Sequence, residues 1–523
     1  DTNLSVRNRP TVPRFNQVGL YALDDIQVNP RLTVNLGLRW DYQSPITEKY
    51  GQAYAMDLSN GDLILANSSS KNLLSPIFTA SLPNINYEIA PIRGFPANSL
   101  LDSHPNDWGP RVSFAYRPAN SDRTVIRGGY GIYYTQLTYT VDGTMGTGPF
   151  LSQQSFVNTI TNGVPALSLP DPFLGVGGIG TQSVGTVVPT LPFPMSQQWS
   201  LAVQHEFAGS LVVQVDYRGM RTQNLPYAAD WNKPYPSTNP AGESFFRYPN
   251  YYTVTLTQPG ANQNLNAMDV TVSRQFAQGL TFQSSYTYAK NLTDTFPTGE
   301  GAGSSIQNPY DRAAEWGNVS YMPTQRWVSY WVYELPYGHG RRFGSSISPA
   351  LNALLGGWEV SGVVNFQTGL WLTPSFDKFD PSNTRSYGGR PDQIGPWGIS
   401  NPTIQGWFNP AAFEIPGCPN TTPVCTSPAD VGRFGNAANG IIESPGLSNL
   451  DFGLFKNFKI KERYTLRFGA EAANFLNHPN FGNPNTDISS LSVGTINSMN
   501  SSAQTALGGD GARTIQFQLR LEF

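Results

Sequence analysis

The sequence of 523 residues predicts an all-β chain, a large antiparallel β-barrel that crosses a membrane and carries long loops at one end. Three observations predict this fold. Apolar and polar residues alternate with a period of two along thirteen segments, with almost no helical periodicity. Most of these segments span about 9 to 12 residues, the length of a membrane-crossing strand. Short turns alternate with long connections between them.

Each predicted strand has one apolar face and one polar or small face. In residues 31–42, alternate positions from Leu32 to Tyr42 are apolar, whereas those between, from Thr33 to Asp41, are polar or glycine. The last two strands repeat this pattern. The thirteen predicted strands are 18–26, 31–42, 111–117, 124–134, 198–207, 211–219, 268–276, 280–289, 326–335, 358–367, 449–458, 464–472 and 514–523.

The length and number of the strands indicate which face points inward. Strands of soluble proteins usually span about 5 or 6 residues, while a tilted strand needs about 9–11 residues to cross a bilayer. A barrel this wide encloses more space than side chains can fill. We therefore expect the apolar faces outside, against lipid, and the polar faces around a lumen.

Charged residues on the polar faces are candidates for the lumen wall. They are Arg39, Asp41, Arg127, Asp216, Arg218, Asp269, Arg467, Glu471, Arg520 and Glu522. A polar lumen tolerates charges of both signs, and there they tune a channel or contact a plug. Plain solvation with ion pairing and specific ligand contacts both explain this set, and both interpretations stay open.

Two kinds of connection alternate along the chain. Short turns include 29–31, 208–210 and 277–279, whereas the long connections run from the one at 43–109 to the one at 476–512. The connection 336–357 is a long one where a short turn is expected. Short turns at one rim and long loops at the other are typical of bacterial outer-membrane barrels.

Thirteen is an odd number, whereas single-chain bacterial barrels have an even number of strands. If the short turns are periplasmic, the first strand starts at the outer rim, while the last ends at Phe523 on the periplasmic side. We therefore expect residues 1–523 to be the C-terminal part of an outer-membrane β-barrel. The lack of a signal peptide at Asp1 agrees with this expectation.

Composition argues against several other functions. The net charge is −3 and no Lys/Arg-rich run occurs, so we do not expect nucleic-acid binding. The four histidines are isolated, so we expect no metal site, no cofactor, no catalytic residues and no enzyme. Cys418 and Cys425 share a Pro/Gly-rich loop, where a disulfide in an oxidising compartment is favoured over two free thiols.

Four stretches resemble the barrels of TonB-dependent outer-membrane receptors: 20–40, 108–118, 356–362 and 471–481. The hairpin at 20–40 reads Leu-Tyr-Ala-Leu-Asp-Asp-Ile-Gln-Val-Asn-Pro-Arg-Leu at its start. It is most similar to the branch that carries an N-terminal carboxypeptidase-regulatory-like domain. The four stretches occur in the order expected for this superfamily.

The resemblance implies a barrel of about 22 strands, filled by a plug and energised through a TonB box. The regulatory-like domain, TonB box, plug and first strands are absent from this sequence. The implied partners are the TonB complex through that missing region, outer-membrane lipid and the barrel-assembly machinery. The terminal residues Phe517, Leu519, Leu521 and Phe523 resemble the signal that this machinery reads.

These patterns favour the barrel part of a receptor and transporter in the outer membrane of a Gram-negative bacterium. A passive porin-like channel and a secreted all-β adhesin or glycan-binding protein stay open as alternatives. The long loops suit capture of an external ligand in each case. The sequence leaves that ligand open between siderophore, glycan and peptide.

Overall fold

Thirteen long strands form the main antiparallel sheet of the computed structural model, and each pairs with the long strand that follows it in the chain. They are β1 (Gln17–Asn29), β2 (Leu32–Gln43), β3 (Asp107–Tyr116), β4 (Thr124–Tyr134), β5 (Met195–Phe207), β6 (Leu211–Asp230), β7 (Val254–Ala277), β8 (Leu280–Thr293), β9 (Gln325–Glu334), β10 (Trp358–Gln367), β11 (Leu447–Ile460), β12 (Tyr464–Ala473) and β13 (Thr514–Glu522). The predicted fold class and all thirteen predicted strands are confirmed.

The structure describes residues 2–7, 9–118, 122–136, 144–156, 160–161, 164–165, 182–238, 246–277, 279–295, 306–418, 429, 431–460, 464–500 and 511–523. Within these ranges, β1 and β13 are the two ends of the sheet, and each pairs with one neighbour. None of the helices in these ranges is long and apolar enough to cross a membrane.

Two strands are much longer than the sequence predicts. The sequence predicts a long loop over residues 220–267, and both bounds of this prediction are wrong. β6 continues to Asp230, and β7 starts at Val254. Their pairing shifts in register after Thr222 and again around Leu225. Beyond these shifts, a clear alternation of apolar and polar residues persists only at Val254–Thr257, which the sequence analysis did not identify as part of a strand.

Residues directly opposite each other on antiparallel strands project to the same face, so each face can be followed across the sheet. Asp216 lies opposite Asp269, and Arg467 lies opposite Arg520. Followed in this way, all ten predicted lumen residues lie on one face, which we call the polar face. The ten predicted charges therefore share one face, although β9 also places Val328, Tyr330 and Val332 on it.

The opposite face carries large apolar side chains that are exposed to the surroundings. Leu36 is 45% exposed, and Phe517 and Leu519 on β13 are 68% and 70% exposed. Soluble proteins rarely leave so many contiguous apolar side chains uncovered. This apolar face therefore suits contact with hydrocarbon rather than water.

Short turns connect the strands at one rim, and long folded connections fill the other, which we call the long-loop rim. At the turn between β5 and β6, Gly209 and Ser210 both have positive φ values, of 79° and 58°. Such values match the twist of a tight hairpin. At the rim of the short turns, the one long connection, between β9 and β10, contains the helix Pro349–Leu355, whose N-cap is Ser348.

The long loops contain short elements of their own. The short strands are Thr2–Arg7, Pro13–Arg14, Thr47–Glu48, Tyr54–Met56, Leu63–Leu65, Tyr87–Ile89, Leu151–Phe156, Ile160–Thr161, Val164–Pro165, Val184–Val187, Gly317–Asn318, Trp371–Leu372, Phe376–Asp377, Gly388–Gly389, Asp392–Gln393, Phe413–Glu414 and Ile442–Glu443. The helix Pro76–Ser81 lies in the loop after β2, and short 3-10 helices occupy Ser68–Leu73, Gly148–Phe150, Arg312–Glu315 and Pro410–Ala412.

Clusters of buried apolar side chains hold the long loops together. The strands Tyr54–Met56 and Leu63–Leu65 are fully buried on both faces. Their alternate side chains enter two different clusters: Ala55 and Ile64 join one, and Tyr54 joins the other. The first long loop therefore forms a small folded unit at the long-loop rim.

The assignment of the two faces predicts opposite outcomes for neighbouring residues of β2. Leu36→Arg places a cation on the apolar face and should cost about 2–4 kcal/mol of stability if that face lies in lipid. The folded fraction of the full-length protein, measured as the heat-modifiable band of an outer-membrane fraction on a detergent gel, should fall.

Asn35→Arg is the matched control, because Asn35 lies on the polar face and its side chain donates to Asp25. An arginine there can pair with the same carboxylate in a wet environment. The folded fraction should stay close to that of the unmodified protein. Equal tolerance of the two arginines, or the reverse order, would mean that the faces are assigned inside out.

Candidate functional site

Charges on the polar face pair with near neighbours and do not converge on one point. The contacts, with the distance between the nitrogen and the oxygen, are Arg39 with Asp41 (2.7 Å), Arg127 with Gln204 (2.8 Å), Gln214 with Asp216 (2.8 Å), Arg218 with Asp269 (2.5 Å), Arg467 with Glu359 (2.6 Å), Gln518 with Glu471 (3.4 Å) and Arg520 with Glu522 (3.3 Å). The ten predicted residues therefore line a wall, and their contact with a plug or ligand stays a prediction. Glu359 was missed, although it occupies a polar position of the predicted strand 358–367.

A shallow concavity of about 710 Å³ opens where the polar face of β2, β3 and β4 lacks side chains. Gly37, Gly129 and Gly131 contribute to its lining. Beside them, the Arg111 guanidinium lies over the Tyr133 ring, 4.4 Å from its centroid. A side chain at Gly131 would press on both Arg111 and Tyr133, because its Cβ would lie 3.2 Å and 3.0 Å from them.

A second cavity, of about 610 Å³, lies among the long loops, and we call it the loop cavity. Three separate connections build it: Lys233 comes from the loop after β6, Glu315 from the loop after β8, and Arg390 from the loop after β10. Trp371 and Tyr387, also from the loop after β10, add aromatic surface. The loop cavity is therefore lined by segments that are distant in sequence.

A buried ion pair forms one wall of the loop cavity. Arg390 donates to both carboxylate oxygens of Glu315, at 2.5 and 3.2 Å, and the two side chains are 8% and 5% exposed. The same carboxylate accepts hydrogen bonds from the Gln307 backbone N–H at 3.0 Å and from Asn439 Nδ2 at 3.0 Å. These hydrogen bonds compensate for the loss of water, so the wall is rigid and its charges are neutralised.

Lys233 contributes the remaining cation of the loop cavity. Its Nζ donates to the backbone oxygen of Gln307 at 3.1 Å. No carboxylate in the described part of the chain forms an ion pair with it. Burial lowers the pKa of the Lys233 ammonium, whereas the negative charges of Asp230 and Asp380 act to raise it.

Aromatic rings surround the base of Lys233. The rings of Tyr235 and Tyr310 are stacked with centroids 3.9 Å apart, and Tyr310 also donates its hydroxyl to the backbone oxygen of Lys233. Tyr387 is 69% exposed at the cavity, whereas the Trp371 indole N–H is held by Thr324 at 3.1 Å. The loop cavity therefore combines a half-buried cation with flat apolar surfaces.

The sequence analysis did not identify the residues of the loop cavity. Glu315 and Arg390 are 75 positions apart, and neither belongs to a periodic segment. Only the folded loops bring them together, so no spacing in the sequence could have identified the pair.

Cys418 is 8% exposed, and its apolar neighbours are Phe376 and Ile415. It is disulfide-bonded. Its predicted partner, Cys425, lies outside the described residues, and the pairing of the two stays a prediction.

The four predicted assembly-signal residues lie at the end of the chain. Phe517, Leu519 and Leu521 project from the apolar face of β13, and the terminal Phe523 is 95% exposed. The ring of Phe517 stacks on that of Phe468 of β12, with centroids 6.3 Å apart. Recognition by the assembly machinery stays a prediction.

Residues 2–516 match a family model described as an outer membrane beta barrel domain. No protein with a curated function matches the chain in sequence. Among solved structures, the outer-membrane transporter YddB from Escherichia coli is 9% identical, with a TM-score of 0.46, and the match covers 97% of this chain and 45% of that one. The pyoverdine receptor FpvA from Pseudomonas aeruginosa PAO1 is 13% identical, with a TM-score of 0.44 and coverages of 99% and 43%. The chain thus spans less than half the length of each.

The buried ion pair predicts that the loops depend on both of its members. Arg390→Met would leave the Glu315 carboxylate buried without its cation, which typically costs about 3–5 kcal/mol. Hydrogen exchange at residues 306–320 and 386–392 of the full-length protein should accelerate strongly.

The double variant Arg390→Met/Glu315→Leu removes both charges together. It should exchange more slowly than Arg390→Met alone, because no unpaired charge remains in the loop cavity. A double variant that exchanges at least as fast as Arg390→Met would contradict the assignment of this pair as an electrostatic unit.

Proposed function

Because this chain belongs to the outer membrane β-barrel domain family, we propose that it forms the wall of a receptor that captures an external ligand and, as part of a full-length protein, takes it up with energy from the TonB complex. The chain is a barrel of the bacterial outer membrane. The ligand capture, the uptake and the coupling to TonB are the proposal.

The observation that carries the proposal is the folded state of the long loops. Two apolar clusters hold the loops after β2, β4 and β6 at one rim, and a buried ion pair joins the loops after β8 and β10, which line the loop cavity. Binding residues are commonly carried on loops that a rigid scaffold positions. Such fixed loops suit recognition of a ligand better than they suit an open passage.

The polar face supports the second half of the proposal. Many of its charges are already paired, either between adjacent strands, as in Arg218 with Asp269, or over the intervening strand β11, as in Arg467 with Glu359. A wall with few unpaired charges can contact a plug without leaving buried ions uncompensated. The plug and the TonB box would belong to the part of the protein that precedes this sequence.

Two finer inferences depend on sequence resemblance. The hairpin formed by β1 and β2 favours the branch with an N-terminal carboxypeptidase-regulatory-like domain. The terminal residues from Phe517 to Phe523 favour insertion by the barrel-assembly machinery. Outer-membrane lipid would cover the apolar face, on which Leu36 and Leu519 are exposed.

The proposal predicts how the full-length protein behaves in liposomes. A plugged receptor should block solutes, so liposomes that contain it should not swell in an isotonic arabinose solution. The purified periplasmic domain of TonB should bind to the full-length protein in a pull-down. Rapid swelling together with no TonB binding would favour the passive porin-like channel and overturn the proposal.

A further inference from the structure

Three long connections meet at the loop cavity, and one cation there has no ion-pair partner among the residues that the structure describes. Glu315 neutralises Arg390, so the charge of Arg390 is used in the ion pair that forms the wall of the cavity. Lys233 has a backbone oxygen as its hydrogen-bond acceptor, and a lysine ammonium carries three N–H donors. The ammonium therefore retains donors for an acceptor that enters the cavity.

Three carboxylates act electrostatically on Lys233, and each has another partner; that of Glu315 is Arg390. Asp230 Oδ1 accepts hydrogen bonds from the backbone N–H groups of Asn232 and Val254, both at 3.1 Å. Asp380 Oδ1 accepts from the Ser382 hydroxyl at 2.6 Å. None of the three carboxylates forms an ion pair with Lys233 in the described part of the chain, so its ammonium can still donate to an incoming anion.

Aromatic surface lies beside this cation. Tyr387 is exposed, and the indole N–H of Trp371 is already bonded, so both can offer their flat faces to a ring-shaped ligand. A volume of about 610 Å³ is within the usual range for small-molecule sites. The cavity thus combines one cationic donor, aromatic surfaces on which a ring can stack, and room for a ligand larger than a single carboxylate group.

We propose that the loop cavity binds an acidic sugar, with Lys233 pairing with the carboxylate and Tyr387 stacking on the sugar ring. This inference rests on the proposed function, because it names the class of ligand that the receptor captures. A carboxylate that accepts from the Lys233 ammonium forms a charge-assisted hydrogen bond, stronger than a neutral one. In the half-buried cavity, water screens that interaction less than it would at an open surface.

The charge can be tested with two probes of nearly equal shape. Trigalacturonate carries carboxylates, while its fully methyl-esterified form has the same rings without the charge. In calorimetric titrations of the full-length protein in detergent, trigalacturonate should bind about tenfold or more tightly than the ester. Lys233→Met should reduce this preference to near unity, and Lys233→Arg should keep most of it.

The folded state of each variant is checked by its heat-modifiable band on a detergent gel. Tyr387→Ala, at an exposed position, should weaken both probes by a similar factor and keep the preference for the carboxylate. Equal binding of acid and ester, a preference that survives in Lys233→Met, unchanged affinities in Tyr387→Ala, or no binding of trigalacturonate at millimolar concentration would each overturn the proposal.

These titrations need neither TonB nor a membrane potential. Failure of acidic-sugar binding alongside intact TonB binding and sealed liposomes would reject the ligand class and leave the receptor function standing. Specific binding of trigalacturonate to a protein whose liposomes swell would support the loop cavity while rejecting energised uptake.

Discussion

A strand that crosses a bilayer has to pair all its backbone N–H and C=O groups with neighbouring strands, because lipid offers them no partner. In this chain that constraint fixes an antiparallel register across thirteen long strands. The register then decides which side chains share a face. The separation of exposed apolar residues such as Leu519 from paired charges such as Arg467 follows from that register.

The constraint also explains what could be predicted from the sequence. In β2 the register forces Leu36 and Asn35 to opposite faces, and different solvents on the two faces require different side chains. A period of two therefore appears in the sequence, and the strands, the fold class and the bacterial outer-membrane location predicted from it are confirmed. β6 and β7 extend beyond the part of the sheet whose two faces have different surroundings. The period of two no longer marks these extensions reliably, and the prediction of their ends was wrong.

The loops could not be predicted in the same way, because their order depends on contacts between distant residues. Tyr248 donates its hydroxyl to the backbone oxygen of Leu58, and Tyr251 donates to that of Gly61, each across 190 positions. Nothing periodic marks such residues in the sequence. The charged residues of the loop cavity belong to the same category, whereas those of the polar face could be located by alternation.

The pairing of each long strand with its successor also has a consequence for how the protein forms. Alternate hairpins such as β5–β6 close over a short turn, whereas the long loops close at an entropic cost that grows only slowly with loop length, so the sheet can grow one strand at a time. One cluster at the long-loop rim joins the connection after β2 to the one after β6 and includes Val254 of β7, so it cannot be complete until β7 has begun to form. Order in this part of the rim therefore follows the addition of the first six strands of the wall.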